Sequence, residues 1–370
     1  MKILVFGITE NPGGIESVIM NYYRGIDRDR YHFDFLCNTE IVAYEEEIRK
    51  LGGTIYRIPA RSRDFRAYRK AMDSFFSAHA SEYDAIWVNI CSLANIDYLI
   101  YAKKYGIPKR IIHSHNSQNM DSRLRGLLHK FNKLRIAKFA TDFWTCSDES
   151  AQWFYSSRLM PKVVSIHNAI DISRFAFSEE ARERIRASIN VHDAYVIGNV
   201  GRLHFQKNQS FLIDVFQAVH QKDRNTYLIL VGQGPDQEKL QEKVHAYGLD
   251  DSVLFAGVQS NVPEWLSAFD CFLFPSLFEG VSLSGLEAQA NGLPVLASEG
   301  VIPKELKVNE NMEFYSLEHS AEEWAEKLLA MKKNSGRIDA AHIEESMRKQ
   351  GYDIRSEAAR LERLFAGGQK

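Results

Sequence analysis

The sequence predicts an α/β protein built from two doubly wound domains. Three observations carry that reading. The chain has 370 residues, about twice an ordinary domain. Short β-rich apolar runs alternate with helical patterns along almost its whole length. Strands that are apolar on both faces, separated by helices, imply parallel sheets covered on both sides. Near 170–186 a strand end passes through a loop into a charged helix, and a fresh strand then begins. The right-handed crossover rule makes each half an open doubly wound sheet.

In the first half the strand-like runs are KILVFGI, FDFLCN, TIYRIP, AIWVNI, RIIHSH, DFWTCS and VVSIHNAI. In the second half they are YVIGNV, TYLILVG, SVLFAG, CFLFPS and PVLAS. Amphipathic stretches such as 208–221 and 237–247 lie between them. The expected division is residues 1–172 and 173–349, with a helical tail at about 350–366 able to pack back on the first domain. Two such domains facing each other would form a cleft lined by strand carboxyl ends, where open α/β sheets bind ligands.

Composition narrows the class. Apolar residues make up 45% and charged residues 25%, as in ordinary globular proteins. The net charge of −2 supplies no global field for nucleic acid. Cys37, Cys91, Cys146 and Cys271 are widely spaced and form no C-x-x-C pair, as expected of reduced thiols in a cytosol. The opening apolar run is too short for a signal-peptide core and lacks a small-residue cleavage site. No 18-residue apolar stretch occurs. A cytoplasmic protein is expected.

The chemistry is sought at strand ends. The first strand leads into Gly13-Gly14 at the start of a helix, where glycines admit a ligand and helix amides favour anions. This is not G-x-G-x-x-G, and no acidic ribose partner follows, so a nicotinamide cofactor is not expected. The fifth strand ends in IIHSHN. Period-2 alternation puts His113 and His115 on one side, each able to donate to a hydroxyl or to stabilise charge. The eighth ends in GNVGRLHFQKNQS: Gly201 permits a close turn, and Arg202 and Lys207 on one loop suit a diphosphate. LILVGQGPDQ places Gly232 in a strand-to-helix turn, a weak signal by itself.

FEGVSLSGLEAQANGLP holds Glu279 in a turn and Glu287 within the following helix. That helix is expected from Ser284 to about Asn291, with Ser284 as N-cap and Gly285 bringing its amides close to a ligand. Glu287 is expected in the first turn, where it favours the dipole and can reach two vicinal hydroxyls. The residues alone leave two uses open: an acid–base pair, or one carboxylate at the reacting centre and one on a ribose.

These blocks resemble the retaining glycosyltransferases of family 4 (glycosyl transferases group 1), of the two-domain GT-B fold. The resemblance runs along nearly the whole chain, through GGIES, HSHN, IHNAID, GRLHFQKNQ, LVGQGP and FDCFLFPSLFEGVSLSGLEAQANGLPVLAS. It is most like the bacterial enzymes of exopolysaccharide, capsule or O-antigen assembly. The resemblance implies a fold of two Rossmann-like domains facing across a cleft. It also implies a nucleotide-sugar donor, UDP-linked by family frequency, and a reaction needing no metal or other cofactor. The acceptor would be a glycan or a polyprenyl-pyrophosphate-linked sugar. Gly13 and Gly14 would lie near the donor phosphate and sugar. Arg202 and Lys207, with Gly201 and Gly232 beside them, would face the diphosphate. Glu279, next to Gly280, would contact the sugar. Glu287 would hold the ribose, the amides of Ser284, Gly285 and Leu286 would cap the phosphate, and His115, with His113 as rival, would stand near the sugar. Where the family has glycine before the hinge, this chain has Ala169. One D-x-D, Asp27-Arg28-Asp29, sits on a helix-to-strand connection and is not expected to hold metal.

The stretch 122–139 carries six Lys/Arg and no acid, with Leu124, Leu127, Leu128, Phe131 and Leu134 at helical spacing. RIPARSRDFRAYRK is also basic. Such a helix either lies on an anionic membrane surface or faces the core with a solvated basic side. The first alternative implies a cytoplasmic protein peripheral on the inner face of the plasma membrane. Two other functions share these features: a UDP-sugar 2-epimerase-like enzyme, and a non-catalytic nucleotide-sugar-binding component of an assembly complex. The E-x7-E block followed by AQANGLP favours transfer.

Overall fold

In a computed structural model, residues 1–115, 123–334 and 336–368 are described. Among the described residues thirteen strands are found: β1 Lys2–Phe6, β2 His32–Cys37, β3 Thr54–Arg57, β4 Ala85–Ile90, β5 Lys109–Ser114, β6 Asp142–Thr145, β7 Val163–Ser165, β8 Tyr195–Val200, β9 Thr226–Val231, β10 Val253–Gly257, β11 Cys271–Phe274, β12 Val295–Ser298 and β13 Met312–Tyr315. The chain divides into two compact units, Met1–Ala169 with Ile354–Lys370, and Ile170–Asp353. The first unit holds a seven-stranded sheet in the order β3-β2-β1-β4-β5-β6-β7, and the second a six-stranded sheet in the order β10-β9-β8-β11-β12-β13. Every strand pairing is parallel. Both sheets are Rossmann-like and doubly wound. Strand order reverses between β1 and β4 in one and between β8 and β11 in the other, the switch points where such sheets bind ligands.

The apolar runs became strands because their side chains are buried on both faces. Ile3, Leu4 and Val5 in β1, and Phe272, Leu273 and Phe274 in β11, are all at most 1% exposed. The strand β13 had no counterpart in the sequence reading. Its four residues, MEFY, are too few to show a period, and only pairing with β12 makes them a strand.

The last helix, Ile354–Phe365, belongs to the first unit. It presents Ile354 and Ala358 to Gly25, where an added Cβ would sit 3.2 Å and 3.1 Å from their side chains. Phe365 packs its ring against Trp87 and Trp144 at centroid distances of 5.9 Å and 5.4 Å. Among the described residues no helix is long and apolar enough to cross a membrane.

Candidate active site at the switch point of the second sheet

The loops that follow the paired strands β8 and β11 form the site. After β8 the chain makes a 3-10 turn at Phe205–Lys207. It then enters the helix Gln209–Lys222 through Asn208, which sits in the left-handed region at φ 55°. This turn is laced to the loop after β11. Leu277 N–H donates to the Gln206 carbonyl at 2.8 Å, and Gln206 Nε2 donates to the Phe278 carbonyl at 3.0 Å. Asn208 Nδ2 donates to the Pro275 carbonyl at 3.1 Å. The lacing brings Lys207 Nζ to 2.6 Å from Glu279 Oε1, with both side chains largely buried at 16% and 8% exposure. Ser276 Oγ donates to the same Glu279 oxygen at 3.0 Å, and the ammonium lies 5.2 Å from the centre of the Phe274 ring. An ammonium has three donors, so the bond to Glu279 leaves Lys207 able to hold an incoming anion as well.

Arg202 lies on the same loop and is exposed. Among the described residues its guanidinium makes no ion pair, while its carbonyl accepts from Gln209 Nε2 at 3.0 Å. It is a free cation beside a paired one. Two glycines have a packing reason. A Cβ on Gly232 would stand 2.0 Å from the Gly201 carbonyl oxygen, and Gly232 itself has φ +132°, so the turn after β9 can approach the turn after β8 only as glycine. A Cβ on Gly201 would meet Lys207 Cε at 3.2 Å. Gly280 is exposed, with open space where a Cβ would stand.

The helix after Glu279 differs from the sequence expectation in three respects. It spans Leu283–Ala290 with Ser282, not Ser284, at the N-cap, and the cap is made without a side-chain hydrogen bond. Ser284 is the second helical residue, its Oγ 3.1 Å from Ser282 Oγ. The Leu286 N–H already donates to the Ser282 carbonyl at 3.1 Å and is not available to a ligand. The N–H groups at the first three helical positions, Leu283, Ser284 and Gly285, have no carbonyl one turn earlier. Gly285 is buried, and its missing Cβ makes room for Leu306, which would stand 2.9 Å away. Its glycine is therefore accounted for by core packing. Gln289 then fixes the helix: it accepts from the N–H groups of Val308 and Asn309 at 2.8 Å and 3.0 Å and donates to the Leu306 carbonyl at 2.7 Å.

Glu287 falls in the second turn, beyond the reach of the helix-end charge that the expected first-turn position would have given it. Burial raises its carboxyl to about 7, against the opposing pull of Arg174 and Lys207. Among the described residues its carboxyl makes no hydrogen bond. It is a half-buried acceptor with two cations near it and no partner, on the same loop-and-helix segment as Glu279.

In the first unit the strand ends look different. Gly13 caps the helix Gly14–Gly25 and is exposed with Gly14. A Cβ on Gly13 would meet Glu16 Oε2 at 2.8 Å, whereas Gly14 faces open space. Glu16 is itself buried and closes the loop by accepting from Thr9 Oγ1 at 2.5 Å. The alternation argument holds for the histidines: the rings of His113 and His115 lie 4.0 Å apart. Their roles separate. His113 is fully buried, stacked on Trp87 at 5.9 Å, and its ring nitrogens have no hydrogen-bond partner among the described residues. It is enclosed in the core of the first unit. His115 Nε2 lies 2.9 Å from Asn89 Oδ1, while Asn89 Nδ2 donates to the Phe6 carbonyl at 3.3 Å. That arrangement makes Nε2 the protonated nitrogen and leaves Nδ1 as an acceptor. Burial pushes His115 down to about 3. Burial favours the neutral ring over the charged form that the sequence reading also allowed.

Sequence reasoning missed Ser276, Gln206, Asn89 and Arg174. Ser276 had a signal, since it closes the CFLFPS strand run. The other three gain meaning only through contacts made by folding. Asn116 of HSHN and Ser122 of the basic stretch lie outside the described residues. Asp27 and Asp29 form a local turn, with the Asp29 N–H donating to Asp27 Oδ1 at 3.1 Å. Among the described residues no group of three or more His, Cys, Asp or Glu could hold a metal ion.

The family model for glycosyl transferases group 1 matches residues 181–352. The chain is 30% identical to the putative glycosyltransferase EpsF of Bacillus subtilis, over 96% of this chain and 94% of that protein. It is 22% identical to the UDP-Gal:alpha-D-GlcNAc-diphosphoundecaprenol alpha-1,3-galactosyltransferase of Escherichia coli, over 77% of this chain and 76% of that one. The crystal structure of Anabaena HepE in complex with UDP-glucose superposes with a TM-score of 0.80 at 18% identity, over 99% of this chain and all of that one.

Proposed function

We infer the reaction from one premise: this chain belongs to the glycosyl transferases group 1 and is a glycosyltransferase of the GT-B fold. Its donor is a UDP-sugar, and it transfers a hexose or N-acetylhexosamine with retention and without a metal ion. The acceptor is a glycan or a polyprenyl-diphosphate-linked sugar in bacterial surface polysaccharide assembly. The E. coli relative's name combines a UDP-sugar with a diphosphoundecaprenol acceptor, and HepE holds UDP-glucose; both support this reading.

The observation that carries it is the Lys207–Glu279 pair at 2.6 Å on the loop that also carries Arg202, which makes no ion pair among the described residues. Breaking a nucleotide-sugar bond builds negative charge on the diphosphate and positive charge on the sugar. Lys207 and Arg202, with the amides of Leu283, Ser284 and Gly285, stabilise the first in a preorganised arrangement. Glu279 is a carboxylate held in place by Lys207 and Ser276, suited to the sugar's hydroxyls and to its developing positive charge. Glu287, whose carboxyl has no hydrogen-bond partner among the described residues, accepts from the two ribose hydroxyls. His115 offers Nδ1 to a sugar hydroxyl. The leaving diphosphate takes the acceptor's proton on the front face, which retains the anomeric configuration.

The test combines binding and turnover. A thermal-shift panel of UDP-, GDP-, ADP- and TDP-sugars should show the largest stabilisation with UDP-sugars, rising as RT ln(1 + [L]/Kd). With a metal chelator present, radiolabelled donor should yield labelled glycan in an acceptor screen. Conversion of UDP-N-acetylglucosamine to its 2-epimer without acceptor would sink the transferase reading of the site, and loss of transfer on chelation would remove metal independence. Glu279→Gln should abolish most transfer while UDP still stabilises the protein.

A further inference from the structure

The helix Arg123–Arg135 is built inside out. Its apolar stripe faces solvent: Leu124 is 67% exposed, Leu127 64%, Phe131 57% and Leu134 82%. Its buried side is polar. His129 and Asn132 are 1% and 8% exposed. His129 Nδ1 accepts the Leu93 N–H at 3.1 Å, its ring stacks on Trp153 at 4.2 Å, and Asn132 Nδ2 donates to the Leu93 carbonyl at 2.6 Å. These bonds fix the rotation of the helix and oblige it to show its leucines. The core-facing alternative raised by the sequence is therefore excluded, because the residues that would have packed inward point out.

A monomer normally buries such a stripe, and one of this size marks an interaction surface. Its surroundings say what covers it. Arg123 and Lys130 are exposed beside the leucines, Arg135 lies over the Phe131 ring at 5.1 Å, and the helix contains no acid. A second apolar and basic feature stands on the other flank of the loop 91–97. There Asn95 Nδ2 donates to Tyr68 Oη at 3.3 Å, and Arg61 lies 3.7 Å from Asp97. That flank is the start of the helix Phe65–His79. Phe65 is 50% exposed, with the Arg61 and Arg69 guanidinium groups 5.6 Å and 5.8 Å from its ring centre. On the helix 123–135 apolar side chains stand among cations with no acid, which matches a hydrocarbon surface beneath anionic headgroups, while around Phe65 the cations share the surface with Asp64 and Asp97.

We propose that the helix 123–135 lies in the plane of an anionic lipid surface, its leucines in the acyl boundary and its Arg and Lys among the headgroups, with Phe65 as a second contact. Exposed leucines that reach the acyl region also distinguish insertion from adsorption by charge alone.

The experiment is sedimentation of the full chain with vesicles of phosphatidylglycerol and phosphatidylcholine, against vesicles of phosphatidylcholine alone, at low and high salt. Binding is expected with the anionic vesicles, weakened by salt, and absent with the neutral ones. Leu127→Gln combined with Leu134→Gln should lower partitioning at least about tenfold, since each exposed leucine loses its transfer into an apolar phase. Lys130→Glu should lower it roughly fivefold or more. All three positions are exposed, and circular dichroism of each variant should match the parent. No binding to anionic vesicles would overturn the proposal, as would equal binding by the double glutamine variant. So would a concentration-dependent dimer by light scattering that the double variant disperses, because the stripe would then be a contact between copies. Sedimentation reads lipid binding without turnover. Transfer to a water-soluble acceptor by the double variant, expected to be unchanged, reads the donor assignment separately.

Discussion

The two sheets share a winding order and differ in what they place at the ends of their strands. In the second unit, the loops after β8 and β11 bring together a buried ion pair and, with no partner among the described residues, the Arg202 guanidinium and the Glu287 carboxyl. In the first unit the corresponding strand ends carry a neutral histidine bonded to Asn89, a second histidine enclosed by tryptophans, and a glycine loop closed by Glu16. Cations and carboxyls gather at the strand ends of the second unit, whereas those of the first carry histidines and one carboxylate, Glu16, tied to Thr9. The same topology serves both because the strands set positions and the loops set chemistry.

Removing the ion pair has the largest expected effect. Lys207→Ala should lower kcat/KM by about 3 kcal/mol of transition-state stabilisation, with Arg202→Ala somewhat less, by analogy with deleted oxyanion donors. Steady-state kinetics showing unchanged turnover in both would dissolve the distinction between the two units. A structural counterpart lies in the first unit. Phe365→Ala should cost roughly 3 kcal/mol, because it opens a cavity between Trp87 and Trp144. Denaturant unfolding should report that loss while UDP binding per folded molecule stays the same.

Glu287 offers a pH test. Its carboxyl is raised in the folded state, so the native protein holds more protons than the unfolded chain between about 4.5 and 7. Stability contributed at this position therefore falls as pH rises through that window. Glu287→Gln should stabilise the unliganded protein by up to about 3 kcal/mol at pH 8 and by little at pH 4.5, following the energy of a pKa shift. Stabilisation by UDP should shrink in the same variant. Equal melting curves at both pH values would show that the carboxyl is not desolvated.

The smallest effect is expected at His113. Replacing a buried ring without hydrogen-bond partners by an apolar ring is near neutral, so His113→Phe should change stability by less than about 1 kcal/mol and leave turnover intact. His115→Phe, which loses the Asn89 bond and the free Nδ1, should reduce turnover. If the two variants behaved alike, the separation of the histidines by burial would be wrong.

Twelve of the strands were legible as short β-rich runs bounded by turn residues, most plainly β1, β4 and β11, where burial on both faces demands an apolar composition. β13 was not, since four residues carry no period. The E-x7-E spacing and the cations after β8 were legible as chemistry because Glu279, Glu287, Arg202 and Lys207 lie on two short segments. Local sequence cannot show that Lys207 touches Glu279. That contact spans 72 residues and depends on Gln206 and Asn208 binding the loop after β11. Nor can it choose between His113 and His115, which share one face of a strand and differ only in what covers them. The helix 123–135 states the same limit. Its amphipathic period is written in the chain, but which side meets the core is decided by His129 and Asn132 finding Leu93. Periodicity and composition are local, and the sequence determines them alone. Facing, pairing and burial depend on residues far apart in the chain, and only the tertiary structure decides them.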